Sequence, residues 1–412
     1  MTTTDQGGVP GLSHAGDSTG RPALRRLVVD PVGFAADTWG RSPLLTRAAD
    51  LPGDLGDLFS EDAVDALVST HGLRTPFLRV AKDGTTLANR AFTSGGGVGA
   101  GIADQADDTR LTSLFADGAT LVLQALHRTW PPVVRFAQQL AGDLGHPVQV
   151  NAYVTPPQSR GFDDHYDVHD VFVLQVSGAK RWRIHAPVHE APLRDQPWTD
   201  RRDAVRAEAE REPLVDAVLE PGDVLYLPRG TLHAATALGD VSTHLTFGVH
   251  TWHRHHLAEE LVSAALATVA DDPDVRTSLP LGVDVADADD LHAHTELVRD
   301  RLLTALRAVP VEDLAAALGG RDGGSGRPEP IGPLAQLRTA RSLDDATGLR
   351  LRDQLAARLD GSTLRSRAGE AEVADVGPDV LRAVLDGEVV TVAALGHDAA
   401  RRLVSAGVLV RA

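Results

Sequence analysis

Cysteine is absent from the 412 residues. That excludes disulfides and thiolate ligands, so any metal must be held by nitrogen and oxygen atoms. Lysine is nearly absent too: all but Lys82 and Lys180 of the 40 basic residues are arginine, a bias that, with abundant Ala, Gly and Asp, fits a GC-rich coding genome. No apolar run approaches the length needed to span a bilayer, and residues 1–22 lack the apolar core and basic leader of a targeting signal. The reading is a cytoplasmic protein with a disordered tail over 1–22 and no membrane partner. Positive charge is in deficit as well. A net charge of -17 repels nucleic-acid phosphates, so no direct nucleic-acid binding is expected, and a basic partner suits the chain better.

What is present is organised in blocks. The length exceeds one ordinary core and predicts two or three domains. Residues 24–90 mix short helical patterns, among them Val32 to Trp39 and Glu61 to Ser69, and read as a lid or flank. Helical spacing returns between Ala119 and Asp143, with Pro131-Pro132 as a break. The period then changes to two. Strands are predicted at 148–154, 171–176 and 180–186, the last two joined by a Ser177-Gly178-Ala179 turn. Further strands are predicted at 224–227 and 241–251, and together they describe a sandwich or barrel. Helical stripes follow at 257–269 and 291–309. Residues 319–333, crowded with Gly and Pro, read as an exposed linker. The last part, with a strand at 389–392, a helix at 399–404 and a strand at 407–410, fits a winged-helix-like module. The run His250, His253, His255 and His256 reads as a solvated edge.

The chemistry concentrates in the middle. In the strand around Lys180, Trp182 and Ile184 share one face while Arg181 and Arg183 share the other, so the lysine points with the apolar set. An interior ammonium needs a negative partner, whereas Lys82, beside a turn at Asp83-Gly84, has solvent. Upstream, His165 and Asp167 stand two apart, which on a strand aims both at one point about 7 Å apart at the backbone. His169 lies too far along to share an ion. His233, which follows the turn-strand-turn of Pro221 to Leu232, is the third candidate. Two imidazoles and a carboxylate on one face of an octahedral ion leave three positions open, an arrangement that favours Fe(II) with a co-substrate and O2. A chelating 2-oxo acid would fill two of them, its far carboxylate meeting Lys180. Asn151 and Tyr153, on the same face of the preceding strand, and Thr246, on the last strand, are further candidates for co-substrate contacts.

The stretches NAYVTPPQSRGFDDHYDVHDVFVLQVSGAKRWRI (151–184) and PGDVLYLPRGTLHAA (221–235) resemble the JmjC/cupin-type ribosomal oxygenases, Fe(II)- and 2-oxoglutarate-dependent protein hydroxylases with bacterial and nucleolar branches. The resemblance implies a mixed α and β chain: a double-stranded β-helix (jelly-roll) catalytic domain at 23–255, a helical dimerisation region at 256–345 and the winged-helix-like module at 346–412. It implies His165, Asp167 and His233 as iron ligands, Lys180 as the 2-oxoglutarate-binding base, Asn151 near the co-substrate, and a homodimer. Gln158-Ser159-Arg160 departs from the family pattern. By the same resemblance the substrate is an arginine or histidine side chain of a basic ribosomal protein. Hydroxylation of a small molecule or biosynthetic peptide, lysine demethylation, and a non-catalytic metal-binding cupin acting in ribosome assembly stay open as alternatives.

Overall fold

The computed structural model describes residues 21–82, 84–159, 162–325 and 327–412. The expected tail, Asp83 of the expected turn and Arg160 of the divergent loop fall outside these, apart from Arg21 and Pro22. The chain forms two compact units, one ending at His250 and one running Thr251–Ala412.

The first unit is built on one large antiparallel sheet. Its strands are β1 (Leu44–Thr46), β2 (Leu78–Lys82), β3 (Thr85–Thr86), β6 (Thr120–Leu123), β7 (Val148–Thr155), β8 (Asp170–His185), β9 (Val215–Leu219), β10 (Val224–Leu227) and β11 (Leu232–Val249), while β4 (Thr93–Ser94) and β5 (Gln105–Ala106) pair separately. The order is β1-β10-β8-β11-β7-β6-β2-β3, with β9 on β8. Strand β8 serves two neighbours on its outer edge. Its first half pairs with β10 through Val171 to Leu174, and its second half pairs with β9 through Lys180 to Ile184. Strand β11 follows both halves on the other edge. Such a bent pair, shared by two sheet segments, is the frame of a jelly roll.

The corner sits where a turn was expected. Ser177-Gly178-Ala179 does not end a strand: β8 runs on to His185, and the register with β11 shifts between Leu238 and His244. Gly178 has a φ of +62°, and a methyl group there would collide with the carbonyl oxygen of Val241. A bulge of this kind adds a residue and reverses the alternation. Val171 and Val173 therefore share the inner face with Trp182 and Ile184, in one buried cluster with Leu225 and Leu227. For the same reason β11 turns both its halves inward in one strand, where the sequence pattern had isolated only 241–251.

Other departures have plain causes. Residues 120–123 are a strand although they were read as helical, because all four are buried and a run covered on both faces carries no period. Pro131 and Pro132 begin the helix Pro131–Leu144, where their missing N–H groups cost nothing. Residues 78–82 and 85–86 belong to the sheet, so the flank is wall rather than lid. Lys82 is paired with Asp117 instead of solvent alone.

The second unit opens with the helices Arg254–Val269, Ala288–Ala308 and Val311–Ser325, the first begun by a mutual cap between His253 and His256. The third helix continues through Gly319 and Gly320 into the expected linker. Arg321 ties it to Glu259 and Glu260. After the helix Pro333–Arg341, a three-stranded sheet (Gly348–Leu351 between Val390–Thr391 and Leu409–Arg411) and a three-stranded meander (358–372) enclose their own core with the helices Pro378–Leu385 and His397–Ser405. No helix among the described residues is long and apolar enough to cross a membrane.

Gly178→Ala is expected to destabilise the first unit by about 2–4 kcal/mol, since it combines left-handed strain with a backbone collision. Denaturant unfolding monitored by tryptophan fluorescence measures this, and an unchanged midpoint would mean the corner does not need glycine.

Candidate metal centre and adjoining cation

His165 and Asp167 do not lie on a strand, as the spacing had led us to expect. They sit in the approach to β8, held to the start of β11 by a single bridge. The His165 N–H donates to the His233 carbonyl at 3.1 Å, the His233 N–H donates back at 2.8 Å, and the Gly230 N–H donates to the Asp167 carbonyl at 2.9 Å. That bridge keeps local alternation. His165 and Asp167 face one side, while Tyr166 between them is buried on the other with Val205 and Leu232. The turn before His233 is pinned by Asp170, which accepts from the Arg229 N–H at 3.1 Å and from the Tyr226 hydroxyl.

The result is convergence. Ligand atoms of His165, Asp167 and His233 all lie within 4.8 Å of one another, with His233 Nε2 3.8 Å from Asp167 Oδ2. Nδ1 of His165 is 2.7 Å from the Asp163 carbonyl and Nδ1 of His233 is 3.0 Å from the Thr231 carbonyl. A carbonyl only accepts, so each Nδ1 carries the proton and each Nε2 keeps its lone pair for a metal. Burial, aided by the neighbouring His165, pushes His233 down to about 4, which leaves the ring neutral. Burial works against ionisation of Asp167, but His169, His165, His233 and Arg79 outweigh it and hold the carboxyl below its usual range. Two imidazoles fixed through Nδ1, with Nε2 turned to the common point, and a carboxylate fit a divalent transition ion.

Lys180 stands in the same cavity. It is 4% exposed, and its Nζ donates to Thr155 Oγ1 at 3.1 Å. No carboxylate among the described residues pairs with it, and burial lowers it to about 7. Tyr153, Thr246, Thr120 and Trp182 line the cavity with the triad and Lys180. Tyr153 is pushed up to about 12 by burial and by the charge of Asp167. Asn151 is not part of that lining. Its Oδ1 accepts from the N–H of Ala125, a residue in the left-handed region, at 3.0 Å, and its side chain hydrogen-bonds Tyr153.

Comparison with known proteins agrees with this geometry. A family model described as "JmjC domain" matches residues 127–257. Ribosomal oxygenase 1 of Gallus gallus is 33% identical over 288 residues, covering 67% of this chain and 46% of that protein. The central part of the chain is a JmjC domain of the ribosomal oxygenase family. The bifunctional lysine-specific demethylase and histidyl-hydroxylase NO66 of Drosophila persimilis is 37% identical over 173 residues, covering 40% of this chain and 24% of that protein. The chain thus spans about half or less of the length of these curated relatives. Among solved structures, the Escherichia coli ribosomal oxygenase YcfD matches with a TM-score of 0.56 at 19% identity, covering 94% of this chain and 99% of that one. A structure of YcfD in complex with cobalt and 2-oxoglutarate matches at 0.52 and 17%. At such identities the likeness speaks for the fold.

Sequence reasoning missed one prominent group in this JmjC domain. His244 lines the cavity, stacked on Tyr153 at 5.0 Å and edge-on to Trp182 at 5.5 Å, with Nδ1 buried and without a hydrogen-bond partner. Burial, then the charges of Lys180 and His233, hold it well below the ordinary imidazole range. Its signal was available, since it precedes Thr246 by two on the same strand. Arg79 was missed because β2 was read as flank. Its guanidinium lies over the Phe162 ring at 5.6 Å and draws Asp167 and Tyr153 downward.

The lysine yields a stability prediction. In the unfolded chain Lys180 keeps its proton up to about 10.5, in the folded ligand-free chain only to about 7. The unfolded state binds more protons between those values, so stability falls as pH drops through that window, and the whole penalty persists below 7. Lys180→Met should therefore raise the stability of the ligand-free JmjC protein at pH 7 by about 1–3 kcal/mol, with the gain shrinking toward pH 10. Thermal melts across pH measure it, and a less stable methionine variant would mean the ammonium is already compensated.

Proposed function

We propose that this protein is an Fe(II)- and 2-oxoglutarate-dependent dioxygenase that hydroxylates an arginine or histidine side chain of a ribosomal protein. The observation that carries the reading is the pairing of a two-histidine, one-carboxylate triad with a buried, uncompensated ammonium in the same cavity. The relatives' names, ribosomal oxygenase and histidyl-hydroxylase, supply the substrate class.

His165, Asp167 and His233 would hold the iron, which when bound couples oxidative decarboxylation of 2-oxoglutarate to insertion of one oxygen atom into a C–H bond, releasing succinate and carbon dioxide. The chain's own share is binding and orientation. Lys180, braced by Thr155, would take the distal carboxylate of the co-substrate through a charge-assisted hydrogen bond, and Tyr153 and Thr246 would add neutral contacts. An incoming carboxylate would return the proton to Lys180, so co-substrate binding should weaken as pH rises well above 7. Trp182, Val171 and Val173 would give the cavity an apolar wall. Asn151 would act at one remove, through Tyr153 and the Ala125 backbone.

The second unit belongs to the same proposal as a homodimerisation region followed by a winged-helix-like module. Support comes from the exposed apolar side chains of Leu257, Val262 and Leu266 on one helix and Leu303 on the next. A net charge of -17 suits a basic substrate better than nucleic acid.

With Fe(II), 2-oxoglutarate and oxygen, the protein should form succinate even without substrate, and His165→Ala should reduce that to background. Sustained silence of the parent protein with iron bound would favour a non-catalytic cupin. Lys180→Ala is expected to raise the 2-oxoglutarate concentration required by about ten- to a hundredfold, with iron binding retained by direct metal analysis. Unchanged dependence would locate the anion elsewhere. Intact-mass comparison of ribosomal proteins from cells with and without the gene distinguishes a gain of oxygen from loss of a methyl group.

A further inference from the structure

Behind the metal cavity, on the reverse face of the same strands, lies a second concavity. The alternation of β6, β7 and β11 divides their side chains: Thr120, Tyr153 and His244 line the metal cavity, while their neighbours Leu121, Val154 and Thr243 line the reverse groove. One layer of sheet separates the two. The helices Glu61–Ser69 and Asp108–Ala116 supply the rest of the apolar floor, through Val64, Val68 and Leu111.

The rim is of one sign. Glu61, Asp65, Asp108 and Asp240 border the groove, no basic residue lines it, and none of the four is in an ion pair among the described residues. Glu61 and Asp108 also suit the first turns of their helices, where carboxylates complement the helix dipole. Asp65, mid-helix, has no such use, and Asp240, at the tip of the β11 irregularity, accepts only locally from the Val241 N–H. A second observation points to an occupant: Thr243 is fully buried, lines the groove, and its Oγ1 has no hydrogen-bond partner. A buried hydroxyl left unpaired costs free energy that a ligand's polar group would recover.

We propose that this groove binds a basic peptide segment, an apolar side chain on the floor with flanking guanidinium or ammonium groups on the rim and a polar backbone group meeting Thr243. For the partner's identity the proposal rests on the function above: the segment belongs to the basic protein substrate, engaged away from the reacting side chain. Charge complementarity selects this occupant. The chain's own N-terminal residues 1–20 contain no lysine or arginine, and a nucleic acid would meet four carboxylates.

The test uses the full-length protein and a short fluorescein-labelled peptide alternating leucine and arginine, with its glutamine-for-arginine counterpart, in fluorescence anisotropy. Binding should require arginine, fall about tenfold in Asp65→Lys/Asp240→Lys, and fall about three- to tenfold in Thr243→Val. Asp37→Lys/Glu212→Lys, which reverses two exposed acids outside the groove, should leave it nearly unchanged. Substrate-independent succinate formation should be unaltered in Asp65→Lys/Asp240→Lys. Equal losses from both charge reversals, or undiminished binding in Thr243→Val together with Asp65→Lys/Asp240→Lys, would overturn the groove. Absence of succinate formation in the parent protein would instead sink the oxygenase reading, while the anisotropy series would still decide the groove.

Discussion

The inner face of the roll depends on one backbone contact, the approach of Val241's carbonyl to the α-carbon of Gly178. Only a residue without a side chain accepts both that approach and a φ of +62°. Because the ladder shifts register twice here, between Leu238 and Thr243 and between Thr243 and His244, both strands change face beyond it. Lys180 and Trp182 come to share an interior with Val171 and Val173, and on the partner strand His233 and Ala235 come to share it with His244 and Thr246. Without that phase change the arginines at 181 and 183 would point inward.

The metal centre is assembled differently from its surroundings. Its cavity walls are regular strands, but two of its three ligands lie on a loop fastened by a pair of backbone hydrogen bonds between His165 and His233. Each imidazole is fixed through Nδ1 to a nearby backbone carbonyl, so ring orientation and tautomer are settled before any ion arrives. Lys180, in contrast, is preorganised at a cost. A buried ammonium with one hydroxyl for company is held well below its ordinary range by burial, a strain that a bound anion would relieve.

Residues whose environment differs on the two sides of a strand were legible. Val148 to Thr155 alternates, and Lys180 between Ala179 and Arg181 shows its inward direction by the company of Trp182 and Ile184. Where both sides are buried the pattern carries no information: Thr120 to Leu123 passed for helix, and Arg79 lay hidden in a segment read as flank. His244 escaped because a lone histidine in an apolar strand is ordinarily packing. Its stacking on Tyr153 and its unpartnered Nδ1 become visible only when the strands are brought together.

The order of residues by itself determined the chemistry on offer: no sulfur ligand, one interior lysine, a histidine and an aspartate two apart, and a third ligand after a turn-strand-turn. Tertiary structure decided whether Ser177-Gly178-Ala179 would be a turn or a bulge. The physical reason is that both use the same local freedom of glycine, and only the presence of β11 beside both halves of β8 makes continuing the strand cheaper than reversing it.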